Sequence, residues 1–262
     1  MSDSVIQYDV SEGGIATITL NRPDIHNAFD DTVVAALTAA FKQAGDDPAV
    51  RVVVLASTGK SFCAGGDLNW MRRMATYTFE ENLRDSNLLA EMLRTLNYLP
   101  KPTIARVQGA AYGGGVGLVA CCDMAVASPE AAFCLSEVKV GMIPATIAPY
   151  VVRAIGQRAS RRYFTTAELI SADKAFTLGL VSEVVASDEL DNCIAGITKN
   201  LLRNGPRGVG EAKRLVLDVA DGEIDADMIA DTSQRIAETR GSDEGREGLT
   251  AFLEKRKPAW IK

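Results

Sequence analysis

Two glycine-rich loops carry backbone groups that could stabilise a negative charge. The first spans residues 61–68 and the second spans residues 112–115. Each follows an apolar strand pattern and precedes a helical pattern, so glycine N–H groups would lie at a helix N-terminus with no Cβ in the way. One donor from each loop, aimed at the same oxygen, would form an oxyanion hole. Each loop alone is equally compatible with an ordinary tight connection between a strand and a helix.

A carboxylate lies in an apolar context further along the chain. Glu137 belongs to the stretch 133–141, in which most of its neighbours are apolar. Burial would raise the pKa of this carboxyl group toward neutrality, where it can both donate and accept a proton. The alternative is a surface glutamate paired with Lys139.

The rest of the composition excludes several kinds of site. His26 is the single histidine, so a zinc site with several imidazoles is excluded and a Ser-His-Asp triad would have to use this residue. The net charge of −6 argues against nucleic-acid binding. The five cysteines form no C-x-x-C pair and lie mostly in apolar runs, which favours reduced thiols in a cytoplasmic protein. Because the uncharged runs are short and no signal-peptide pattern is present, we expect a soluble chain without a membrane partner.

A nucleotide-binding motif provides a competing hypothesis. Residues 115–120 fit G-x-G-x-x-A, and Glu130 follows the next strand pattern. This arrangement resembles a dinucleotide fingerprint and would suit a nicotinamide oxidoreductase. About seven residues separate the preceding strand pattern from Gly115, whereas the fingerprint normally follows its strand directly.

The secondary-structure elements that must position these groups are predicted from the periodicity of apolar residues and from the turn and capping residues between them. Alternation over 5–10 and 15–20 predicts a hairpin, and apolar runs at 52–55, 103–107 and 124–127 predict buried strands separated by helices. Helices are predicted over 31–44, after the capping box at 78–81, and over 115–121. This alternation favours an α/β fold with a largely parallel sheet. Strand patterns stop near residue 195, so we predict a core over 1–195 and a three-helix region over 196–262.

Taken in order along the chain, these segments resemble the crotonase (enoyl-CoA hydratase/isomerase) superfamily. The residues that carry the resemblance are Asn21-Arg22-Pro23 with Asn27-Ala28, residues 61–68, residues 109–144, Ala172 with Ala175 and Gly179-Leu180-Val181, and residues 251–258. The resemblance implies a ββα spiral core, C-terminal helices that assemble homotrimers or pairs of trimers, an acyl-CoA thioester substrate and no separate cofactor or metal.

The resemblance also assigns individual residues. By position, the oxyanion-hole amides fall on Gly66 and Gly114, and Glu137 matches the glutamate that exchanges the Cα proton. The expected contacts to the CoA part of the substrate are Ile25, His26, Ala28, Ala64, Gly65, Gly66, Asp67 and Leu68, with Phe252 and Lys255 reaching CoA on a neighbouring subunit. The expected acyl pocket contains Trp70, Met71, Met74, Tyr112, Pro144 and Ala145.

The sequence departs from the typical hydratase pattern at one catalytic position. Gly117 occupies the place of the first of the family's two glutamates, and residues 144–150 replace a glycine-rich stretch. The combined pattern is similar to that of a bacterial subgroup that hydrates methylglutaconyl-CoA, in leucine breakdown, or isohexenylglutaconyl-CoA. We therefore expect a hydratase for a branched, carboxylated enoyl-CoA. The alternatives are an enoyl-CoA isomerase that uses Glu137 alone, and a non-catalytic relative that only binds acyl-CoA.

If the acyl chain carries a carboxylate, we expect a cationic side chain in the acyl pocket to bind it. Arg72 and Arg73 lie on the predicted helix after the first loop, where they would pair with a distal carboxylate or remain solvated on an exposed face. Lys139 is the third candidate.

Overall fold

The computed structural model describes residues 4–261 and contains a six-stranded sheet, a three-stranded sheet and surrounding helices. The strands are β1 (Ile6–Val10), β2 (Ile15–Leu20), β3 (Val52–Ser57), β4 (Thr103–Val107), β5 (Ala111–Tyr112), β6 (Met124–Ala127), β7 (Ala132–Cys134), β8 (Ile170–Ser171) and β9 (Glu183–Val184). The helices are α1 (Asp31–Asp46), α2 (Leu68–Met74), α3 (Phe79–Asn97), α4 (Gly114–Cys121), α5 (Ala148–Thr166), α6 (Ala172–Leu178), α7 (Leu190–Leu202), α8 (Pro206–Val219), α9 (Ala226–Gly241) and α10 (Asp243–Leu253).

The larger sheet has the order β1-β2-β3-β4-β6-β9. Its first pair is the antiparallel hairpin, with Ile6 opposite Leu20 and Val10 opposite Ala16, and every other neighbouring pair is parallel. All six residues of β3 are buried, because helices cover both faces of this strand. The predicted hairpin, buried strands and parallel sheet are therefore confirmed.

The smaller sheet has the order β5-β7-β8. Strands β5 and β7 are parallel, and β7 and β8 are antiparallel. An isolated parallel bridge between Cys63 and Ala111 connects the loop after β3 to β5. Because β5 and β7 precede the two segments that carry Gly114 and Glu137, this small sheet brings those segments side by side.

Helix α3 begins with the predicted capping box. The Glu81 amide donates to Thr78 Oγ1 at 3.2 Å, and the Thr78 amide donates to Glu81 Oε2 at 2.8 Å. The helix is buried only in its second half, through Met92, Leu93 and Leu96. Its first half is more open, which leaves that part of its surface available to a cavity.

Helix α7 spans the position of the predicted boundary at 195, and its Leu190 and Ile194 pack in a core cluster with residues of β3, β4 and β6. This helix therefore covers one face of the sheet. The three predicted C-terminal helices correspond to α8, α9 and α10, in which Ala251 is the buried residue. Within residues 4–261, no helix combines the length and apolar character required to cross a membrane.

Candidate active site

A cavity of about 490 Å³ lies where α2 and α3 face the two glycine-rich loops and the segment 136–147. It brings together residues that are far apart in the sequence. Eleven of the residues singled out from the sequence line it, together with Lys139: Ala64, Gly65, Gly66, Leu68, Trp70, Met71, Met74, Gly114, Glu137, Pro144 and Ala145.

Backbone hydrogen bonds hold the two glycine-rich loops against each other. The Cys63 amide donates to Ala110 O at 3.0 Å, and the Tyr112 amide donates to Cys63 O at 2.9 Å. A Cβ on Gly65 would lie 3.0 Å from Tyr112 O, and the backbone of Gly65 adopts a φ of +88°. Glycine is required here because the loops approach closely and the backbone is left-handed.

Phe29 bridges both loops. Its amide donates to Gly65 O, and its carbonyl oxygen accepts from the Asp67 amide, both at 2.9 Å. Its ring packs on the start of α4, where a Cβ on Gly114 would lie 2.2 Å from Phe29 Cζ. Any larger residue at Gly114 would therefore displace the buried Phe29 ring.

The amides of Gly66 and Gly114 are free to bind a ligand. Neither N–H donates to an oxygen of residues 4–261. Gly114 is the first residue of α4, where N–H groups have no partner inside the helix and carry partial positive charge. Two free donors on adjacent loops at one cavity have the chemistry of an oxyanion hole.

Glu137 begins a single turn of 3-10 helix over Glu137–Val140 and is half-buried. Its Oε2 atom is buried and has no hydrogen-bond partner within the described residues. Burial raises the pKa of this carboxyl above its ordinary value. The alternative of a surface pair with Lys139 is wrong, since Glu137 forms no ion pair with any residue in 4–261.

Gly113 makes room for this carboxylate beside the second loop. A Cβ on Gly113 would lie 3.1 Å from Glu137 Oε1, and the residue adopts a φ of +51°. The Gly113 amide donates to Cys134 O at 2.8 Å, which ties the loop to the strand that leads into Glu137. The carboxylate and the free Gly114 amide are thus fixed by adjacent parts of one small sheet.

The space beside Gly117 is already filled. Gly117 is buried in α4, and a Cβ there would lie 2.3 Å from Ile147 Cγ2 and 3.5 Å from Leu93 Cδ2. Ile147 itself is buried and follows the Pro144-Ala145-Thr146 wall of the cavity. Gly117 thus differs from the two-glutamate pattern in packing as well as in residue type, because Ile147 occupies the volume that a side chain at 117 would need.

The expected CoA contacts form a second surface next to the first loop. The Ala64 amide donates to His26 O at 2.9 Å, and His26 Nδ1 lies 3.0 Å from Ser61 Oγ. Ile25, His26 and Ala28 do not line the cavity, and neither does Asp67, which caps α2 by accepting from the Asn69 amide.

Asn27, which carries part of the family resemblance but was given no site role from the sequence, secures this surface. Its buried side chain donates to Thr58 O at 2.7 Å and to Ser61 O at 2.9 Å, and it accepts from the Arg22 amide at 2.8 Å. The positive φ of +54° at this residue gives no sequence signal beyond asparagine's tolerance of that conformation.

Two helix positions predicted for the acyl pocket lie elsewhere. Arg73 forms an ion pair with Asp31 at 2.5 Å, and Arg72 donates to Asn69 Oδ1 at 2.7 Å, so neither arginine lines the cavity. The reason is helical geometry: Trp70, Met71 and Met74 share the face that meets the cavity, whereas residues 72 and 73 point away.

The remaining predicted positions also lie outside the cavity. Tyr112 contributes its backbone to the contact between the loops, and its side chain is not part of the cavity wall. Phe252, on α10, is 80% exposed, and Lys255 follows that helix in an exposed turn.

Several further wall residues were not assigned to the cavity from the sequence. Phe29, Asp85 and Leu89 are among them. Asp85 accepts a hydrogen bond from Trp70 Nε1 at 3.3 Å, and burial raises the pKa of its carboxyl. The contact between α2 and α3 creates this arrangement, so local sequence alone could not reveal it.

The residues that could support dinucleotide binding, thiol catalysis or metal binding do not have the arrangement that these functions require. Gly115 and Gly117 are buried inside α4 instead of forming a strand-to-helix turn, and Glu130 accepts from Ser187 Oγ at 2.6 Å on the surface. Cys63 lies in the first loop, but burial raises the pKa of its thiol to about 12, so it is a neutral thiol at physiological pH. The described residues contain no group of three or more His, Cys, Asp or Glu side chains placed to hold a metal.

Comparison with known proteins identifies the family. The family described as Enoyl-CoA hydratase/isomerase matches residues 10–262. The chain belongs to the enoyl-CoA hydratase/isomerase family. It is therefore an enzyme of the type that acts on acyl-CoA thioesters, and its fold is the predicted crotonase fold.

Solved structures of this family agree with the chain over nearly its whole length. An enoyl-CoA hydratase from Shewanella pealeana ATCC 700345 is 45% identical, with a TM-score of 0.96 over 98% of this chain and 96% of that chain. An enoyl-CoA hydratase from Mycobacterium smegmatis is 37% identical, with a TM-score of 0.93 over 99% of this chain and 100% of that chain. Pseudomonas aeruginosa AtuE is 35% identical, with a TM-score of 0.94 over 99% of this chain and 100% of that chain.

The packing at Gly117 predicts the effect of adding a single methyl group. Gly117→Ala should lower the free energy of unfolding by about 1–3 kcal/mol, because the new Cβ overlaps Ile147. Urea denaturation of the purified protein measures this change. The control is Gly196→Ala in α7, where a Cβ meets nothing within 4 Å and the helix should be stabilised by up to about 1 kcal/mol. A Gly117→Ala protein as stable as the wild type would show that Ile147 does not fill this space.

Proposed function

We propose that this enzyme adds water across the C2=C3 double bond of a branched enoyl-CoA that carries a carboxylate, such as methylglutaconyl-CoA. The observation that carries the proposal is the unpaired, buried oxygen of Glu137 at the same cavity as the free Gly66 and Gly114 amides. The Shewanella pealeana and Mycobacterium smegmatis relatives are described as enoyl-CoA hydratases, which supports hydration as the reaction.

The two amides would polarise the thioester. They would donate to its carbonyl oxygen and stabilise the negative charge that develops when water attacks C3. Each such donor is worth roughly 3 kcal/mol in the transition state when it is held in place in advance. The close packing of Phe29 on both loops supplies that preorganisation, since neither loop can shift without disturbing it.

One carboxylate would then perform both proton transfers. Ionised Glu137 takes a proton from water as the water oxygen bonds to C3, and the π electrons move toward the thioester to give an enolate. The protonated carboxyl next gives this proton to C2, which restores the thioester carbonyl and the ionised glutamate. The reaction needs no redox partner and no cofactor beyond the CoA that the substrate carries.

The filled volume next to Gly117 supports this single-residue mechanism. A typical hydratase has one more glutamate at this position, but here Ile147 and Leu93 occupy the adjacent space. The burial that raises the pKa of Glu137 suits a group that must both remove a proton and return it.

Lys139 would recognise the carboxylate of the substrate. It lines the cavity two residues after Glu137 and forms no ion pair with a carboxylate of residues 4–261. An exposed ammonium contributes a modest binding energy, so its role would be selection between substrates more than overall affinity. The two arginines on α2 lie outside the cavity and are not available for this role.

Isomerisation is the second candidate, because Gly117 removes the usual second carboxylate. A lone glutamate can move a proton from C4 to C2 and shift the double bond without adding water. Mass spectrometry of the product from methylglutaconyl-CoA in ¹⁸O-labelled water separates the two reactions. Hydration adds the mass of one labelled water, whereas a product that separates from the substrate by chromatography but has the same mass would replace the hydratase proposal with the isomerase.

The quaternary arrangement is part of the same proposal. We infer a homotrimer, or a pair of trimers, in which Phe252 and Lys255 reach the CoA bound to a neighbouring subunit. Support comes from exposed apolar side chains on the C-terminal helices, including Val216, Ile229 and Leu253, which a partner subunit would cover.

Removing the charge of Glu137 should abolish catalysis without unfolding the protein. Glu137→Gln is expected to lower kcat by about a thousandfold or more, because no other group would carry the proton. Steady-state kinetics measures this loss, and calorimetry with a saturated acyl-CoA checks that binding survives. The control is Glu130→Gln, which replaces a carboxylate outside the cavity.

The pH dependence follows from the same residue. Because the ionised form of Glu137 starts the reaction and its pKa is raised, kcat/KM should fall with decreasing pH and reach half its plateau above pH 4.5. A Glu137→Gln protein that retains its rate would refute the assignment, as would an acid limb with its midpoint below 4.5.

Lys139→Met should distinguish carboxylated from plain substrates. We expect kcat/KM for methylglutaconyl-CoA to fall about fivefold while that for crotonyl-CoA stays constant, because only the former places a carboxylate near the ammonium. Arg72→Gln is the matched control and should affect neither substrate, since Arg72 does not line the cavity. An equal loss on both substrates would remove Lys139 as the carboxylate partner.

A further inference from the structure

A second acid lies at the cavity and has no role in the chemistry described above. Asp85, on α3, lines the cavity beside Ser86 and Leu89 and is half-buried. Its Oδ1 accepts from Trp70 Nε1 at 3.3 Å, and it forms no ion pair with a cation of residues 4–261. Holding an acid in a partly buried cavity without a counter-ion costs free energy, which makes Asp85 a candidate for substrate recognition.

The charges around Asp85 do not neutralise it. Asp31 lies on α1, Arg73 on α2 and Arg84 on α3, and all three act on this carboxyl at longer range. Because Asp31 and Arg73 pair with each other, the charge of Arg73 is largely compensated. Asp85 therefore presents negative charge to a wall that is otherwise formed by Trp70, Met74 and Leu89.

The other ionisable groups of the cavity come from a different segment. Glu137 and Lys139 belong to the turn after β7, whereas Asp85 belongs to α3. Neither Glu137 nor Lys139 is among the groups whose charge shifts the pKa of Asp85. The cavity is thus electrostatically asymmetric, because the ammonium of Lys139 offsets Glu137 at the turn after β7, whereas no cavity-lining cation offsets Asp85 on the α2–α3 wall.

We propose that Asp85 is a specificity-determining residue that excludes a carboxylate from the part of the cavity formed by Trp70, Met74 and Leu89. In methylglutaconyl-CoA the carboxymethyl group on C3 would then reach Lys139, while the apolar methyl group on C3 would face Trp70, Met74 and Leu89. This proposal deepens the proposed function and rests on it for the hydration chemistry, but the exclusion applies to any acyl-CoA that enters the cavity.

The physical basis is repulsion between like charges in a partly dehydrated space. A terminal carboxylate brought next to Asp85 would have to lose water and share the site with a second anion, or take up a proton. An apolar chain of the same length avoids this cost, because Asp85 can keep its hydrogen bond from Trp70. The enzyme would thereby discriminate between a branched, carboxylated acyl chain and a linear acyl chain that carries the same charge.

The test compares two linear substrates that differ only at the far end. These are 2-octenoyl-CoA and 2-octenedioyl-CoA, which carries an additional terminal carboxylate. The wild type should favour 2-octenoyl-CoA in kcat/KM, and in Asp85→Asn this preference should fall by about tenfold, as expected for losing one like-charge contact. Asparagine keeps the size and the acceptor for Trp70, so the substitution removes little but the charge.

Glu80→Gln is the matched control. It removes a carboxylate of the same helix that lies outside the cavity and is not among the charges that act on Asp85, so the preference should stay within about twofold of the wild type. The proposal is overturned by a wild type without the preference, by an unchanged preference in Asp85→Asn, or by an equal fall in Glu80→Gln.

Binding measurements separate this proposal from the proposed function. Calorimetry with octanoyl-CoA and with its ω-carboxylated counterpart needs no turnover and should show the same preference and the same effect of Asp85→Asn. If methylglutaconyl-CoA is not hydrated but this binding preference is present, the proposed substrate is wrong and the exclusion by Asp85 stands. If hydration occurs without the preference, the exclusion is wrong and the proposed function stands.

Discussion

The contact of Phe29 with both glycine-rich loops is the constraint on which the site depends. Its backbone pairs with Gly65 and Asp67 of the first loop, and its ring packs on Gly114 of the second. Only glycine fits at 114, because a Cβ would lie 2.2 Å from the ring. This contact places two unpaired amides at one cavity, and the small sheet of β5 and β7 sets Glu137 beside them.

The site also shows how a change in chemistry is coupled to a change in packing. A glycine at 117 removes a potential side chain, and Ile147 fills the volume that the side chain would use. The wall that ends in Ile147 then closes the cavity next to Glu137. A glutamate at 117 would overlap Ile147, so substitution at 117 alone could not restore the second carboxylate. The single-carboxylate arrangement therefore depends on core packing as well as on the residues that line the cavity.

Most of the fold followed from local signals in the sequence. Alternation predicted β1 and β2, apolar runs predicted β3 and β4, and the Thr78–Glu81 capping box predicted the start of α3, because each depends on neighbours in the chain. The two loops and Glu137 were singled out for the same reason. Trp70, Met71 and Met74 reach the cavity, but Arg72 and Arg73 do not, and helical spacing within α2 would have separated these two groups.

Other parts of the site depend on contacts between distant segments. Asn27 secures residues 58–61 through its side-chain amide, Phe29 bridges two loops, and Asp85 meets Trp70 across two helices. None of these partners can be deduced from spacing, because the sheet and the helix packing decide which side chains face each other. For the same reason the sequence did not reveal that α7, which spans residue 195, packs on the core through contacts with β3, β4 and β6.

The most direct measurement of the central claim is the carbonyl stretching frequency of a bound thioester. Crotonyl-CoA labelled with ¹³C at the thioester carbonyl can be bound to Glu137→Gln, which prevents its consumption, and examined by Raman difference spectroscopy. If the Gly66 and Gly114 amides both donate to the carbonyl oxygen, the band lies at a clearly lower frequency than in water. A band at or above its frequency in water would contradict the account, because the two amides would then not converge on the substrate.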